Sequence, residues 1–202
     1  MLKHELSPKA QVKRARVLHE ATRLFSLKGF DSTPISHIAD AAGISFGSVF
    51  TYFETKESLF RACVLEPLPR VTAEFTFDGD RGRNLTVEDL ADTVSRHLKF
   101  FAQERLYLQL VQQVLGNPDR FPELFVELDH AGESMRTAIG DWVRQGQEQG
   151  LLEEANQRAV AVAYSSLLLG MRIFMTDPPQ SSIWAEMRPL ALKLLGLRDR
   201  YE

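Results

Sequence analysis

Between Ala42 and Lys56 the chain reads Ala42-Gly43-Ile44-Ser45, then Phe46-Gly47-Ser48-Val49-Phe50-Thr51-Tyr52-Phe53, and then Lys56 beyond a short link. Wound at about 100° per residue, the middle segment turns Val49, Phe53 and Phe46 inward. Gly47, Ser48 and Thr51 face outward, with Tyr52 at the flank. A helix facing water usually carries long charged side chains, so an outer face this small and neutral suits one pressed against another polar surface. Gly47 lets a backbone approach closely, while Ser48 and Thr51 can bond to base edges or offer a methyl to thymine. The amides at the segment's N-terminus can hold a phosphate, and so can Lys56 at the start of the next helix. The bland alternative is a tight helical hairpin that serves only as core, with its Ser and Thr acting as caps.

Other chemistries find little support. The five histidines (4, 19, 37, 97 and 130) have no metal-ligand spacing, and Cys63 is the single cysteine. That excludes an internal disulfide framework and a thiolate metal cluster. There is no Gly-x-Ser-x-Gly elbow and no phosphate-cradling glycine loop. Acid pairs such as Asp129/Glu133 sit at helical spacing on solvated faces. The expectation is therefore no enzyme, no catalytic residue, no metal and no cofactor.

The elements around the outward face are helical throughout. The 202 residues are 44% hydrophobic and 25% charged, ordinary for a folded globular chain and too apolar for a disordered one. Val17, Leu18, Ala21, Leu24 and Phe25 make 9–28 an amphipathic helix, with Gly29 past its end and Phe30 folding back onto Phe25. Thr33 and Pro34 read as N-cap and first residue of a second helix carrying Ile35, Ile38, Ala39 and Ala42, which Gly43 ends. Ser45 caps a very short helix through Phe53, and Thr55 caps a fourth that Pro67 and Pro69 end or kink. The charged glycine loop Asp78–Arg83 precedes helices near 86–103 (Thr86 as N-cap), 105–116, 120–149, 156–176 and 182–196. With no strand pattern, the fold class is all-α: an N-terminal helix-turn-helix domain over 1–55 and a larger helical domain over 56–202. The N-terminus carries no apolar leader, and the longest apolar run is too short for a membrane span, so a cytoplasmic location is expected. Residues 1–62 hold nine Lys/Arg against six Asp/Glu and the rest 15 against 21, so a basic head joins an acidic body.

The run Ala21-Thr22-Arg23-Leu24-Phe25, Lys28-Gly29-Phe30, Thr33, Ile35, Ile38-Ala39, Ala42 to Ser45, Gly47 to Phe50, Tyr52-Phe53 and Lys56 to Phe60 resembles the DNA-binding domain of the TetR family of bacterial transcriptional regulators. The resemblance implies a homodimer with three helices per subunit in each DNA-binding head and a helical domain that holds an effector. It implies DNA contacts from Thr33, Ser45, Gly47, Ser48, Phe50, Thr51, Tyr52 and Lys56. Two positions depart from the family pattern. Phe50 stands where Tyr is common and loses a hydroxyl that meets a phosphate. Phe46 stands where a small, polar or basic residue is common; it either packs on a thymine methyl, the preferred reading, or tucks under the helix.

The helix at 156–176 is apolar almost all round and must be buried on most sides. In a family-like arrangement it pairs with 182–196 against the same helices of a second subunit, Ala159, Ala163, Ser166 and Gly170 allowing close approach. Inward-facing polar and aromatic residues mark an effector pocket with His97, Phe101, Leu110, Gln113, Met135, Trp142, Tyr164 and Phe174 as its contacts, although such residues are also ordinary core. The reading is a dimeric repressor that binds a palindromic operator and is released by a small molecule. The alternative is a constitutive repressor or architectural protein with no effector, and a ligand-dependent shift in DNA affinity separates the two.

Overall fold

The computed structural model describes residues 7–75 and 84–198; the Asp78–Arg83 loop lies outside them. Among the described residues the chain is helical, with one isolated antiparallel bridge, Leu152 to Leu197, and no strand. The helices are α1 (Pro8–Lys28), α2 (Ile35–Ala42), α3 (Phe46–Phe50), α4 (Lys56–Leu65), α5 (Leu68–Ala73), α6 (Val87–Gln103), α7 (Arg105–Leu115), α8 (Pro122–Glu148), α9 (Gln157–Phe174) and α10 (Ile183–Leu194). No helix of the described residues is long and apolar enough to cross a membrane.

The caps explain most boundaries. Ser45 accepts the Ser48 amide, and Thr55 with Ser58 and Thr86 with Asp89 form capping boxes that satisfy the first free amides of α4 and α6. Pro67 falls between α4 and α5, and Pro69 sits in the first turn of α5, where its missing N–H costs nothing. Two expectations are corrected. Pro34, not Thr33, occupies the N-cap position of α2, without a side-chain cap. The third helix stops at Phe50, with Thr51 as its C-cap, rather than continuing to Phe53.

Two compact units are built from interleaved stretches of chain: residues 7–68 with 106–126, and residues 69–105 with 127–198. In the first unit, α1 packs on α2 and α4, and α2 on α3. Val17, Ala21, Phe25, Ile38, Val49 and Leu59 are buried between them, and the rings of Phe25, Phe30, Phe60 and Phe121 form one cluster. Phe30 stacks on Phe25 with centroids 5.7 Å apart, the contact expected beyond the Gly29 cap. Tyr107 donates its hydroxyl to the Val64 carbonyl at 2.9 Å, tying α7 to the end of α4.

In the second unit α6, α9 and α10 pack on one another. Arg172 of α9 is buried, donating to the carbonyls of Ala102 and Met175 at 3.3 and 2.5 Å and lying 5.2 Å from the Trp184 ring. Only part of α9 is covered within the chain. Ala161, Tyr164, Leu168 and Met171 are buried, whereas Ala159, Val162, Ala163, Ser166, Ile173 and Phe174 are exposed.

Candidate nucleic-acid interface

The turn between α2 and α3 rests on Gly43, whose φ of 61° is left-handed, the region glycine enters without a Cβ clash. Its amide reaches Asp40 O at 3.1 Å and the Ile44 amide reaches Ala39 O at 3.1 Å, closing the end of α2. Val49 and Phe53, fully buried and 5% exposed, then seat α3 and the turn after it on the core. Arg14 of α1 stacks 4.8 Å above the Phe53 ring and pairs with Glu66, fixing this corner from behind. What remains outward is the face on which the sequence placed its chemistry.

Most of the expected contact residues do lie there. Ser45, Phe46, Gly47, Phe50 and Thr51 are exposed, and Ser48, Tyr52 and Lys56 are half-buried. A Cβ on Gly47 would meet nothing within 4 Å, so the helix surface beside it is open. Ser45 Oγ accepts the Ser48 amide at 3.3 Å and lies 2.6 Å from Ser48 Oγ, so that amide is already capped. The Lys56 ammonium sits 4.4 Å over the Phe30 ring and 3.5 Å from Asp31 O, held at the α4 N-terminus.

Thr33 does not join this surface. It is fully buried, its hydroxyl 2.8 Å from Gly29 O and 3.3 Å from Leu24 O, so it closes the end of α1 and its side chain cannot reach DNA. Phe46 also differs from the wheel, which turned it inward: it is 55% exposed, and its ring meets Phe50 at 5.2 Å. As the first residue of a five-residue helix, Phe46 leans toward the helix N-terminus and so off the core that Val49 enters.

The residues proposed to hold an effector divide between the two units. Leu110 and Gln113 belong to the first, where Gln113 donates its amide to the Phe25 and Ser26 carbonyls at 2.9 and 3.2 Å and serves the end of α1. The rest belong to the second unit. Phe174 is 85% exposed, contrary to the inward direction expected of it, because it lies at the end of α9 on the side left uncovered. Met135 is half-buried and Phe101 buried. His97, Trp142 and Tyr164 come together, with ring centroids 5.9 to 6.1 Å apart, and Phe75 lies 4.5 Å from His97. Burial lowers the His97 pKa to about 4, against a partial opposing effect of its bond to the Glu74 carbonyl. Burial likewise raises that of Tyr164. The Trp142 indole N–H is buried with no hydrogen-bond partner among the described residues.

One further feature was not legible in the sequence. A cleft of about 450 Å³ opens in the first unit, with Phe30, Phe60, Phe121, Arg61 and Arg120 among its lining residues. Its walls come from three separate segments, which no local spacing connects. Cys63 lies on the inner face of α4, as the spacing of Leu59, Phe60, Cys63 and Val64 implies, and desolvation pushes its thiol up to about 12, so it stays protonated.

A left-handed glycine turn between two short helices, with the second presenting an open, uncharged outer face, defines a helix-turn-helix DNA-binding protein. Residues 17–63 match the family model described as bacterial regulatory proteins, tetR family. The transcriptional regulator UidR of Escherichia coli K12 is 26% identical over 147 residues, covering 72% of this chain and 71% of UidR. A crystal structure of a tetR-family regulatory protein from Rhodococcus RHA1 superposes with a TM-score of 0.76 at 26% identity, covering 96% of this chain and all of that one. A regulator from Saccharomonospora viridis, solved in complex with choline, has the same fold, with a TM-score of 0.74, 19% identity and coverage of 92% and 96%. Over residues 17–63 the chain thus carries the signature of the tetR family, and over most of its length it is similar to DNA-binding transcriptional regulators of that family, which are not enzymes.

Proposed function

We propose that this regulator is a homodimeric repressor that binds a palindromic operator with two α2–α3 heads and leaves it when a small molecule enters the second unit. The observation that carries the dimer is the uncovered apolar face of α9 and α10. Val162, Ile173, Phe174, Leu190 and Leu194 are 43%, 53%, 85%, 58% and 39% exposed, beside the small residues Ala159, Ala163 and Ser166. Apolar side chains gathered on one face mark an association surface, and small residues let two helices approach closely. Two-fold pairing gives two recognition helices, and the operator half-sites then stand a whole helical turn apart, about 34–36 Å, or a multiple of it.

The effector is supported by the His97–Trp142–Tyr164 group. A buried donor without a partner is costly, about 1–3 kcal/mol, and the Trp142 N–H would be satisfied by a ligand acceptor reaching this aromatic wall. The choline complex of the Saccharomonospora viridis protein shows that one regulator of this fold holds a small molecule. Release requires the ligand to prefer the dimer state that fits DNA poorly, since equal affinity for both states shifts nothing.

The test is fluorescence anisotropy with a duplex from upstream of the protein's own gene, at two salt concentrations, against a scrambled duplex. Sequence-dependent binding by two subunits, or a multiple of two, supports the reading, and a compound screen for release then distinguishes an effector-controlled from a constitutive repressor. Absence of binding to any duplex at low salt overturns it.

A further inference from the structure

The recognition helix is unusual in what it lacks. From Phe46 to Phe53 there is no Arg, Lys, Asn, Gln, Asp or Glu. The long side chains that read guanine or adenine through paired hydrogen bonds are therefore missing from this segment. The two serines offer little in their place. Ser45 Oγ and Ser48 Oγ are bonded to each other at 2.6 Å, and Ser45 also caps the Ser48 amide.

What α3 does present is aromatic. Phe46 and Phe50, four residues apart on one side of the helix, are 55% and 40% exposed, their rings in edge contact at 5.2 Å and 66°. Phe25, Phe30, Phe53 and Phe60 of the same unit are 6% exposed or less, so the unit has core positions for phenyl rings and leaves these two outside. Gly47 lies between them in sequence, with open space where a Cβ would project. In the major groove, the apolar group available to such a pair is the C5-methyl of thymine.

We infer that Phe46 and Phe50 together read thymine 5-methyl groups, and that this apolar contact sets the operator specificity of the regulator. The inference rests on the operator-binding reading above and names the chemistry that the interface recognises. Replacing thymine by deoxyuridine removes the methyl and leaves the base pairing unchanged, so the contact can be deleted from the DNA without touching the protein.

The experiment selects bound duplexes from a random-sequence pool with the full-length protein, then substitutes deoxyuridine for each thymine in turn. At one or two positions per half-site, affinity falls about four-fold for each methyl removed. In Phe46→Ala or Phe50→Ala the penalty at the corresponding position disappears, because the variant binds thymine and uracil duplexes alike. Equal affinity of the parent protein for the thymine and the fully uracil-substituted duplex overturns the inference, even though operator binding stands. A uracil penalty that persists undiminished in both variants also overturns it. Failure to enrich any duplex sinks the operator-binding reading and this inference together.

Discussion

Nδ1 of His97 accepts a hydrogen bond from the Tyr164 hydroxyl across 3.0 Å, joining α6 to α9 in the interior of the second unit. The other ring nitrogen, Nε2, lies 2.9 Å from the Glu74 carbonyl and donates to it. Both nitrogens are thereby satisfied by the neutral ring: one as donor, one as acceptor. A second proton on the ring would turn the Tyr164 contact into a meeting of two donors, and desolvation disfavours the charge as well.

The His97 pKa falls from 6.5 to about 4 on folding, so between those values the unfolded chain binds a proton that the folded chain refuses. Its contribution is fully present above the unfolded value and is lost as pH falls toward the folded one, amounting to about 2 kcal/mol by pH ~5. Urea unfolding of the parent protein and of His97→Phe, compared between neutral and mildly acid pH, isolates this part. The expected result is a flatter pH dependence in the variant. An equal loss in both proteins contradicts the neutral, enclosed imidazole.

Thr33→Val deletes a hydroxyl that serves carbonyls at the end of α1 while keeping the shape of the side chain. Stability drops by about 1–2 kcal/mol, because buried acceptors lose a partner. Thr33→Ser costs less, since the donor is retained. The salt dependence of DNA binding stays that of the parent in both. A shallower salt slope in Thr33→Val would return the residue to the DNA contact set.

Lys56→Ala weakens binding to every duplex by a similar factor and lowers the salt slope by about 1, the signature of one lost phosphate contact. Melting temperature changes little, because the ammonium's contacts with Phe30 and Asp31 are at the surface. A loss confined to one operator sequence would assign Lys56 a base contact instead.

Phe174→Asp places a charge on the most exposed large apolar side chain of α9. Sedimentation velocity at micromolar protein is expected to change from dimer to monomer, with the helical circular dichroism retained. A variant that sediments like the parent removes α9 from the interface.

Gly43→Ala forces a Cβ into a left-handed turn, within 2.6 Å of the Arg16 guanidinium. Arg16 can move aside, so the backbone decides the cost, about 1 kcal/mol or slightly more. Thermal unfolding measures it. A stability equal to the parent's would mean that the α2–α3 turn relaxes without penalty.

The helices and much of the outer face of the head follow from local sequence. Caps and periodicity act within three or four residues, and Ser45, Thr55, Thr86 and Gly43 mark their helix ends by local hydrogen bonding and backbone freedom alone. Gly47 and Thr51 could be turned outward from the positions of Val49 and Phe53, because a helix fixes which residues share a side.

What each side meets depends on packing between segments far apart in the chain. Thr33 is taken up by the end of α1, and Gln113 bonds to carbonyls 87 and 88 residues earlier in the chain. Phe46 and Phe174 project outward because the core ends beneath them: an apolar residue enters the interior only where neighbouring segments leave room for it. His97, Trp142 and Tyr164 meet because α6, the later part of α8 and α9 converge in one unit, a convergence set by packing between distant helices. Helical period is a property of neighbours along the chain, whereas the partner across an interface belongs to the whole fold.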